Sequence, residues 1–206
     1  EFSESEIEKA IEANCAGSGY AISRHDDIEV EVAKLLAEER VVSRVNGRME
    51  FGARALGNRS ILANPSSPDV VKVINEQIKN RDFWMPFACS ILEERANDYL
   101  INPKRIEMKY MAISCETTPL AKKHLVAAIH PYDYTARPQI VGPHDNSSYY
   151  RILKHFEALT QIGGVLNTSL NLHGEPLVNS PEDALSTFTR SGLQYLAMGN
   201  YMISKT

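Results

Sequence analysis

VVSRVNGRMEFGARALGNRSIL, residues 41–62, places a long glycine-containing connection between two short apolar runs. Residues 41–45 have the composition of a strand. Asn46-Gly47 is a typical type I′ hairpin pair, so we expect the chain to return antiparallel from Arg48 onward. The stretch therefore predicts a pair of antiparallel strands within an α+β fold.

The same connection carries three arginines, Arg48, Arg54 and Arg59. Glycine allows a backbone to approach a ligand closely, and guanidinium groups match the oxygens of phosphate or carboxylate groups. This combination predicts an anion-binding arm. The alternative is that the arginines lie in solvent or pair with Glu50, as most surface arginines do.

A second candidate segment is KNRDFWMPF, residues 79–87. In an extended chain, Lys79 and Arg81 project to the same side, because side chains alternate with period two. Two cations on one face suit a polyphosphate. Trp84 and Phe87 are more typical of a hydrophobic core than of a ligand contact.

Two later segments are rich in polar residues. Residues 166–176, LNTSLNLHGEP, present Ser169 and Asn171 after a predicted strand, either as ligand-binding groups or as a hydrogen-bonded turn. Residues 130–139, HPYDYTARPQ, contain His130, Asp133 and Arg137, which either converge on a substrate or satisfy one another around a tight turn.

Helical and strand-like patterns alternate along the rest of the chain. Helices are predicted between Ser3 and Gly17 with a capping box, and over residues 27–39, 67–78 and 148–161 and from Pro181. Short apolar runs suit strands at residues 87–92, 111–115, 125–129, 139–141, 165–168 and 201–203. We therefore expect one α+β domain over residues 1–206, with a mixed sheet.

The composition limits the class of function. The 206 residues are 43% hydrophobic and 23% charged with a net charge of −4, which disfavours nucleic acid as the main partner. Three scattered cysteines predict reduced thiols in a cytoplasmic protein, and no membrane span is expected. Neither metal-ligand spacing nor a Walker A or GxGxxG motif is present, so phosphate binding would depend on side-chain cations.

The arginine-containing connection and the polar segments described above, in this order, resemble the C-terminal region of the NodU/CmcH-type O-carbamoyltransferase family. That family includes nodulation-factor and antibiotic-tailoring enzymes. The family string GRMEFGPRALGNRSIL matches residues 47–62, KxR with MPFAPS matches residues 79–90, and LNTSFN with GEP matches residues 166–176. The family's histidine, threonine-alanine-arginine and glutamine match His130, residues 135–137 and Gln139. This sequence departs from the family pattern at Ala53, Cys89, Tyr134 and Leu170.

The region also resembles the YrdC/Sua5 fold, whose KxR and SxN pairs match Lys79/Arg81 and Ser169/Asn171. The resemblance implies a twisted mixed sheet with flanking helices and a concave basic cleft. There, ATP with its Mg²⁺ and carbamoyl phosphate would form carbamoyl adenylate. Phosphates would be held by the cations and short polar side chains (Arg48, Arg54, Arg59, Lys79, Arg81, Ser169 and Asn171), and the carbamoyl group by Arg137 and His130.

The resemblance also implies a partner domain. In the family, a separate N-terminal, Kae1-like, metal-containing domain transfers the carbamoyl group to a hydroxyl. Nothing in these residues resembles that domain, and the chain opens at Glu1 instead of a methionine, so we expect the domain upstream of this chain. A homodimer is left open.

Two other functions are compatible with the sequence. One is an adenylate synthase of the tRNA-modification type that uses threonine and bicarbonate. The other is a non-catalytic nucleotide-binding or docking module, because one fold hosts several functions. The arginine-rich string and the MPFA element favour carbamoyl adenylate formation over the first, whereas the departures at Ala53, Cys89 and Tyr134 leave the second open.

Overall fold

Short strands alternate with amphipathic helices along the chain. A computed structural model describes residues 1–15, 17, 19–79 and 85–206. In chain order, the described residues form α1 (Glu4–Cys15), β1 (Tyr20–Arg24), α2 (Ile28–Ala37), β2 (Val42–Val45), β3 (Arg59–Ala63), α3 (Asp69–Ile74), β4 (Ala88–Leu92), α4 (Ala96–Tyr99), β5 (Leu100–Ile101), β6 (Glu116–Thr117), α5 (Pro119–His124), β7 (Gln139–Val141), α6 (Ser147–Thr160), β8 (Gly164–Ser169), α7 (Pro181–Arg190), β9 (Tyr195–Met198) and β10 (Tyr201–Lys205).

Side-chain caps begin several of the helices. Ser3 and Glu6 form the predicted capping box before α1. Ser180 and Asp183 form another before α7, with Pro181 at its first position. Each box satisfies N–H groups that have no partner inside the helix, so these starts are encoded locally. The predicted start of α3 is displaced, because Pro68 and not Ser67 takes the N-cap position, without a side-chain hydrogen bond.

Among the described residues, eight strands form one mixed sheet in the order β1-β10-β9-β2-β3-β8-β4-β7. The pairs β2–β9 and β4–β7 are parallel, and the other neighbours are antiparallel. Strands β2, β3 and β4 are buried throughout, because helices cover the centre of the sheet. Helix α2 packs against α6, which also contacts β4 and β8, and α1 packs against α7. The predicted α+β architecture is confirmed.

The predicted tight hairpin after Val45 is wrong. Strand β2 does pair antiparallel with its successor, but Val45 lies opposite Arg59, so the whole of residues 46–58 forms the connection. We call residues 46–58, together with Arg59 at the start of β3, the arginine loop. Gly47 has the positive φ of 55° that a turn residue needs, yet the chain leaves the sheet instead of closing there, because the loop finds its hydrogen-bond partners elsewhere.

Two apolar runs expected to be strands adopt other structures. Residues Val126–Ala128 form a 3-10 turn after α5, and short buried runs cannot be assigned to strand or helix from periodicity alone. In residues 111–115, Met111 has a left-handed φ of 53°, and Cys115 makes an isolated bridge to Ala136. Strands β1 and β9 were not predicted. Most of β1 is exposed, and it is defined by its pairing with β10.

The three cysteines carry free thiols, with Cys15 and Cys89 buried and Cys115 half-buried. Among the described residues, no helix has the length and apolar character needed to cross a lipid bilayer.

The contact between α2 and α6 contains a buried carboxylate. Only 5% of Glu29 is exposed; its Oε2 lies 2.6 Å from Arg151 Nη2, and Ser148 Oγ donates to its Oε1. Burial alone would raise the pKa of Glu29, but these hydrogen bonds outweigh it and lower the pKa to about 2.

Glu29 should make the fold acid-sensitive. An unfolded glutamate titrates near about 4.3, so the ionised Glu29 stabilises the fold above that pH, and this contribution is lost as the pH falls towards 2. We expect Glu29→Gln to lower the free energy of unfolding at pH 7 by about 2 kcal/mol and to flatten its decline between about pH 4.5 and 2.5. Urea unfolding at several pH values measures both effects, with Glu31→Gln as the control on the same helix. An unchanged decline in Glu29→Gln would contradict the assignment.

Gly57 makes the close contact between the arginine loop and α6. Its φ is 111°, and a Cβ at this position would lie 2.4 Å from the ring of Tyr149, which is fully buried. Gly57→Ala should therefore lower the free energy of unfolding by more than about 2 kcal/mol, through overpacking as well as backbone strain. Gly174→Ala is the matched control, because its φ is 80° and its Cβ would lie in open space. Equal losses in the two variants would show that the backbone conformation alone sets the cost.

Candidate functional site

Lys79 lies at the centre of a buried polar cluster. It ends the π-helical turn Asn75–Lys79 that continues α3, and only 2% of the residue is exposed. Its Nζ donates to Ser169 Oγ at 3.1 Å, to Asn171 Oδ1 at 2.8 Å and to the Asn171 carbonyl at 3.2 Å. A buried ammonium group is tolerated only with such partners. The structure thus brings together three predicted site residues, Lys79, Ser169 and Asn171.

The end of β8 holds the polar side of this cluster. Ser169 is the last residue of the strand and lies opposite Ser60 of β3. Its Oγ donates to Asn171 Oδ1 at 2.7 Å, and Asn171 Nδ2 donates to the carbonyls of Leu172 and Glu175 at 3.0 and 2.7 Å. The segment is therefore a hydrogen-bonded turn and also a contact of Lys79, so the two interpretations of the sequence describe one structure.

Arg81, the second cation of the predicted pair, lies outside the described residues, as does Trp84. Phe87, which follows them, is buried at the start of β4, as expected of a core residue.

A small polar cavity lies beside the cluster. Its volume is about 60 Å³, and Arg54, Arg137 and Ser169 are among its lining residues. One water needs roughly 10–15 Å³ of such space, so the cavity can hold several waters or a phosphate-sized anion. Ser169 belongs both to this cavity and to the hydrogen bonds of Lys79. Two arginines and the lysine cluster therefore share one site at the end of β8.

A neighbouring cavity of about 100 Å³ is lined by His130 and again by Arg137. Pro86 and Phe87 line both cavities, so the two are adjacent. His130 Nδ1 lies 3.3 Å from the backbone N–H groups of Tyr132 and Asp133 and 3.2 Å from Asp133 Oδ1. Asp133 Oδ1 in turn accepts from the N–H and the hydroxyl of Thr135, both at 2.8 Å, so His130 and Asp133 both stabilise the turn. His130 lines one cavity, whereas Arg137 lines both.

The turn gives Tyr134 an unusual backbone conformation. Tyr134, one of the departures from the family pattern, adopts a left-handed φ of 60°, which favours glycine. The ring of Tyr134 packs under Lys122, whose Nζ lies 4.4 Å from the ring centroid, a cation–π contact.

Glu50 organises the arginine loop from within. Its Oε1 accepts the backbone N–H groups of Leu56 at 2.8 Å, Asn58 at 2.8 Å and Arg59 at 3.1 Å. The carboxylate is used by the loop backbone, and not by the loop arginines as the sequence allowed. A carboxylate that accepts several backbone N–H groups fixes the path of an irregular segment.

The loop arginines have different environments. Arg59 is fully buried, and its guanidinium donates to the carbonyls of Asn46, Gly47, Asn58 and Asn179 at 2.9–3.3 Å. Its donors thus hold the ends of the loop together, which does not favour the phosphate contact expected of it. Arg48 is exposed and is not among the described residues that line either cavity. Arg54 is exposed and lines the first cavity.

Arg44 supports the loop from β2 and was not identified from the sequence. It is 2% exposed, donates to the Gly57 carbonyl, and donates to Ser148 Oγ at 2.6 Å. Burial lowers its pKa to about 10, which still leaves it protonated at neutral pH. Its position inside an apolar strand pattern, SRV, was the available signal, because an arginine there must find buried acceptors.

Sequence relatives extend well beyond this chain. An uncharacterized protein of Synechocystis is 36% identical over an alignment of 223 residues, which covers 100% of this chain and 36% of that protein. Nodulation protein NolO of Bradyrhizobium diazoefficiens is 37% identical, covering 95% of this chain and 36% of its own length. Nodulation protein NolNO of Sinorhizobium fredii is 39% identical, covering 92% and 28%. The chain thus spans about a third of the length of these relatives.

Solved structures share the fold at low sequence identity. P. abyssi Sua5 complexed with L-threonine has a TM-score of 0.59 at 14% identity, over 86% of this chain and 47% of that one. T. kodakarensis HypF has a TM-score of 0.55 at 14% identity, over 92% of this chain and 23% of that one. E. coli YciO gives 0.58 at 10% identity, over 83% and 76%. The predicted YrdC/Sua5-like fold is confirmed.

A family model, described as carbamoyltransferase C-terminus, matches residues 33–205. That range contains both cavities, the lysine cluster and the arginine loop. The chain belongs to the carbamoyltransferase C-terminus family.

Proposed function

We propose that this chain forms carbamoyl adenylate from ATP and carbamoyl phosphate, as the nucleotide-handling part of a carbamoyltransferase. The observation that carries the proposal is the junction at Ser169, where a buried lysine cluster meets a cavity lined by Arg54 and Arg137. Several cations around one anion-sized space suit a reaction between two phosphorylated substrates. Family membership supports the carbamoyl group as the one transferred.

The proposed reaction balances with one water. Water attacks the phosphorus of carbamoyl phosphate, the bond from that phosphorus to the carbamoyl oxygen breaks, and carbamate and inorganic phosphate are released. A carbamate oxygen then bonds to the α-phosphorus of ATP, the bond from that phosphorus to the bridging oxygen breaks, and pyrophosphate leaves with the electron pair. Such displacements need alignment and charge stabilisation more than covalent participation by the protein.

The residues divide between the two substrates. Arg54 would hold phosphate oxygens and the departing pyrophosphate, and Ser169 and Asn171 would orient them. Lys79, whose ammonium group donates to Ser169 and Asn171 in this structure, would exchange one of these bonds for a phosphate oxygen when ATP binds. Arg137, which lines both cavities, would bind carbamoyl phosphate, with His130 in the adjacent cavity. Arg81 and the exposed Arg48 remain proposed phosphate contacts, whereas Arg59 would act through the conformation of the loop. Mg²⁺ would arrive with ATP and be bound mainly by its phosphates.

Transfer of the carbamoyl group to a hydroxyl would occur elsewhere. The relatives are about three times as long as this chain, which leaves room in them for a separate acceptor-binding, metal-containing domain. We propose that such a domain is the partner of this one, and that both work in the cytoplasm, where ATP is abundant.

A second candidate is adenylate formation from threonine and bicarbonate. The observation that favours it is the fold likeness to Sua5, whose solved structure contains L-threonine. Both candidates require ATP, and they differ in the substrate that supports pyrophosphate exchange.

Pyrophosphate exchange should separate the candidates. Labelled pyrophosphate is incubated with the chain, ATP and Mg²⁺, and its incorporation into ATP is measured with carbamoyl phosphate or with threonine plus bicarbonate. We expect incorporation only with carbamoyl phosphate. Incorporation only with threonine and bicarbonate would support the second candidate. If the chain binds ATP but neither condition supports exchange, even with the remaining two-thirds of a full-length relative added, the chain is a nucleotide-binding module.

Lys79→Met should abolish most of the exchange. The substitution keeps most of the side-chain length but removes the ammonium group that meets Ser169 and Asn171. Loss of one such group from a phosphoryl-transfer site costs on the order of 10²–10³-fold in rate. Lys72→Met is the matched control, because Lys72 lies on α3 with its side chain 80% exposed. The exchange rate and the circular dichroism spectrum of both variants are measured. A folded Lys79→Met protein with full activity would remove Lys79 from the mechanism.

A further inference from the structure

One hydrogen bond joins the two segments that carry the cavity arginines. Gln139 Nε2 donates to the Leu56 carbonyl at 2.9 Å. Arg54 lies two residues before Leu56 in the arginine loop, and Arg137 lies two residues before Gln139 at the start of β7. A covalent and hydrogen-bonded path between Arg54 and Arg137 therefore runs through this amide.

The orientation of the Gln139 amide is held by its other end. Its Oε1 accepts from Ser90 Oγ at 2.7 Å and lies 3.4 Å from Asn167 Nδ2. Ser90 is opposite Gln139 in the parallel pair β4–β7. Only 5% of Gln139 is exposed, so water cannot readily replace a lost partner. The amide is thus locked with its N–H group directed at the loop.

A second, weaker contact fixes the neighbouring carbonyl. Asn167 Nδ2 lies 3.3 Å from the Ala55 carbonyl and donates to Ser90 Oγ at 3.1 Å. Asn167 also lines the first cavity, whereas Gln139 is not among its described lining residues. Gln139 would therefore act on the proposed ligand through other residues and not by direct contact.

We propose that Gln139 is a positioning residue that sets the spacing of Arg54 and Arg137 across the anion site. The identity of the bound anions, ATP and carbamoyl phosphate, rests on the proposed function. Without the Gln139–Leu56 bond, the arginine loop keeps its own internal contacts through Glu50 and Arg59 but loses its direct connection to β7. Arg54 then samples positions in which the two guanidinium groups no longer face the same anion.

Gln139→Met tests this coupling, since methionine matches the length of glutamine but cannot donate to Leu56. Amide hydrogen exchange measures how often the backbone of the loop opens to solvent, and we expect faster exchange at Leu56, Gly57 and Asn58. Calorimetric titration with ATP and Mg²⁺ measures the affinity of the site for the nucleotide. We expect a dissociation constant about five- to tenfold higher, as for the loss of one buried hydrogen bond.

The effect should require Arg54. In an Arg54→Ala background, Gln139→Met should cause no further loss of ATP affinity, because the group that it positions is absent. Additive losses in the double variant would overturn the proposal and leave Gln139 with a purely structural role.

Ser43→Ala is the control for general destabilisation. Ser43 is also buried in the sheet, and its Oγ donates to the Tyr195 carbonyl at 2.7 Å on the β2–β9 side. It should lower the free energy of unfolding without changing loop exchange or ATP affinity. If Gln139→Met does not fold, Ser90→Ala is the milder variant, because it leaves Gln139 in place but removes the hydroxyl that orients its amide. It should shift both measurements in the same direction by a smaller factor.

The outcomes separate the two proposals. Unchanged loop exchange in Gln139→Met and Ser90→Ala overturns the positioning role, and so does faster exchange with unchanged ATP affinity. A wild-type chain that binds neither ATP nor inorganic pyrophosphate contradicts the proposed function instead. In that case the exchange rates still decide whether Gln139 holds the loop.

Discussion

The structure of the site depends on satisfying the backbone of one irregular loop. Residues 46–58 leave the centre of the sheet between two buried strands, and their polar groups lie where water cannot serve all of them. Glu50 accepts the N–H groups of Leu56, Asn58 and Arg59, while buried Arg59, Arg44 and Gln139 donate to carbonyls at the two ends of the loop. Because an unpaired buried backbone group costs about as much as a lost hydrogen bond, these contacts hold both ends of the loop in place, while residues 48, 49 and 51–54 between them are exposed.

The same constraint separates supporting cations from binding cations. Arginine carries five donors in a fixed fork, and a carbonyl-lined pocket can use most of them. The guanidinium of Arg59 donates to four backbone carbonyls in this way, whereas Arg54 and Arg137 line a cavity. A loop rich in arginine is therefore partly its own scaffold. The proposed reaction needs both supporting and binding cations, because charge stabilisation is effective only where the charges are held in place beforehand.

Local signals predicted those elements whose cause is local. The capping boxes before α1 and α7 involve residues three apart, and the amphipathic helix α6 follows from its own periodicity. Elements that depend on distant partners were missed or misassigned. Strand β1 is exposed and exists through its pairing with β10 at the other end of the chain. The strand that was expected to return at Arg48 instead begins at Arg59, which donates to the carbonyl of Asn179, 120 residues away in sequence.

The sequence by itself determined the family, the α+β class and the membership of the lysine cluster, since long motifs identify residue types that one chemistry requires. Lys79, Ser169 and Asn171 were predicted and do meet. Tertiary structure alone decided which arginines face a cavity and which are buried in support of the loop. The reason is physical: the environment of a guanidinium depends on acceptors contributed by remote segments, and those acceptors are brought near it only when the chain folds.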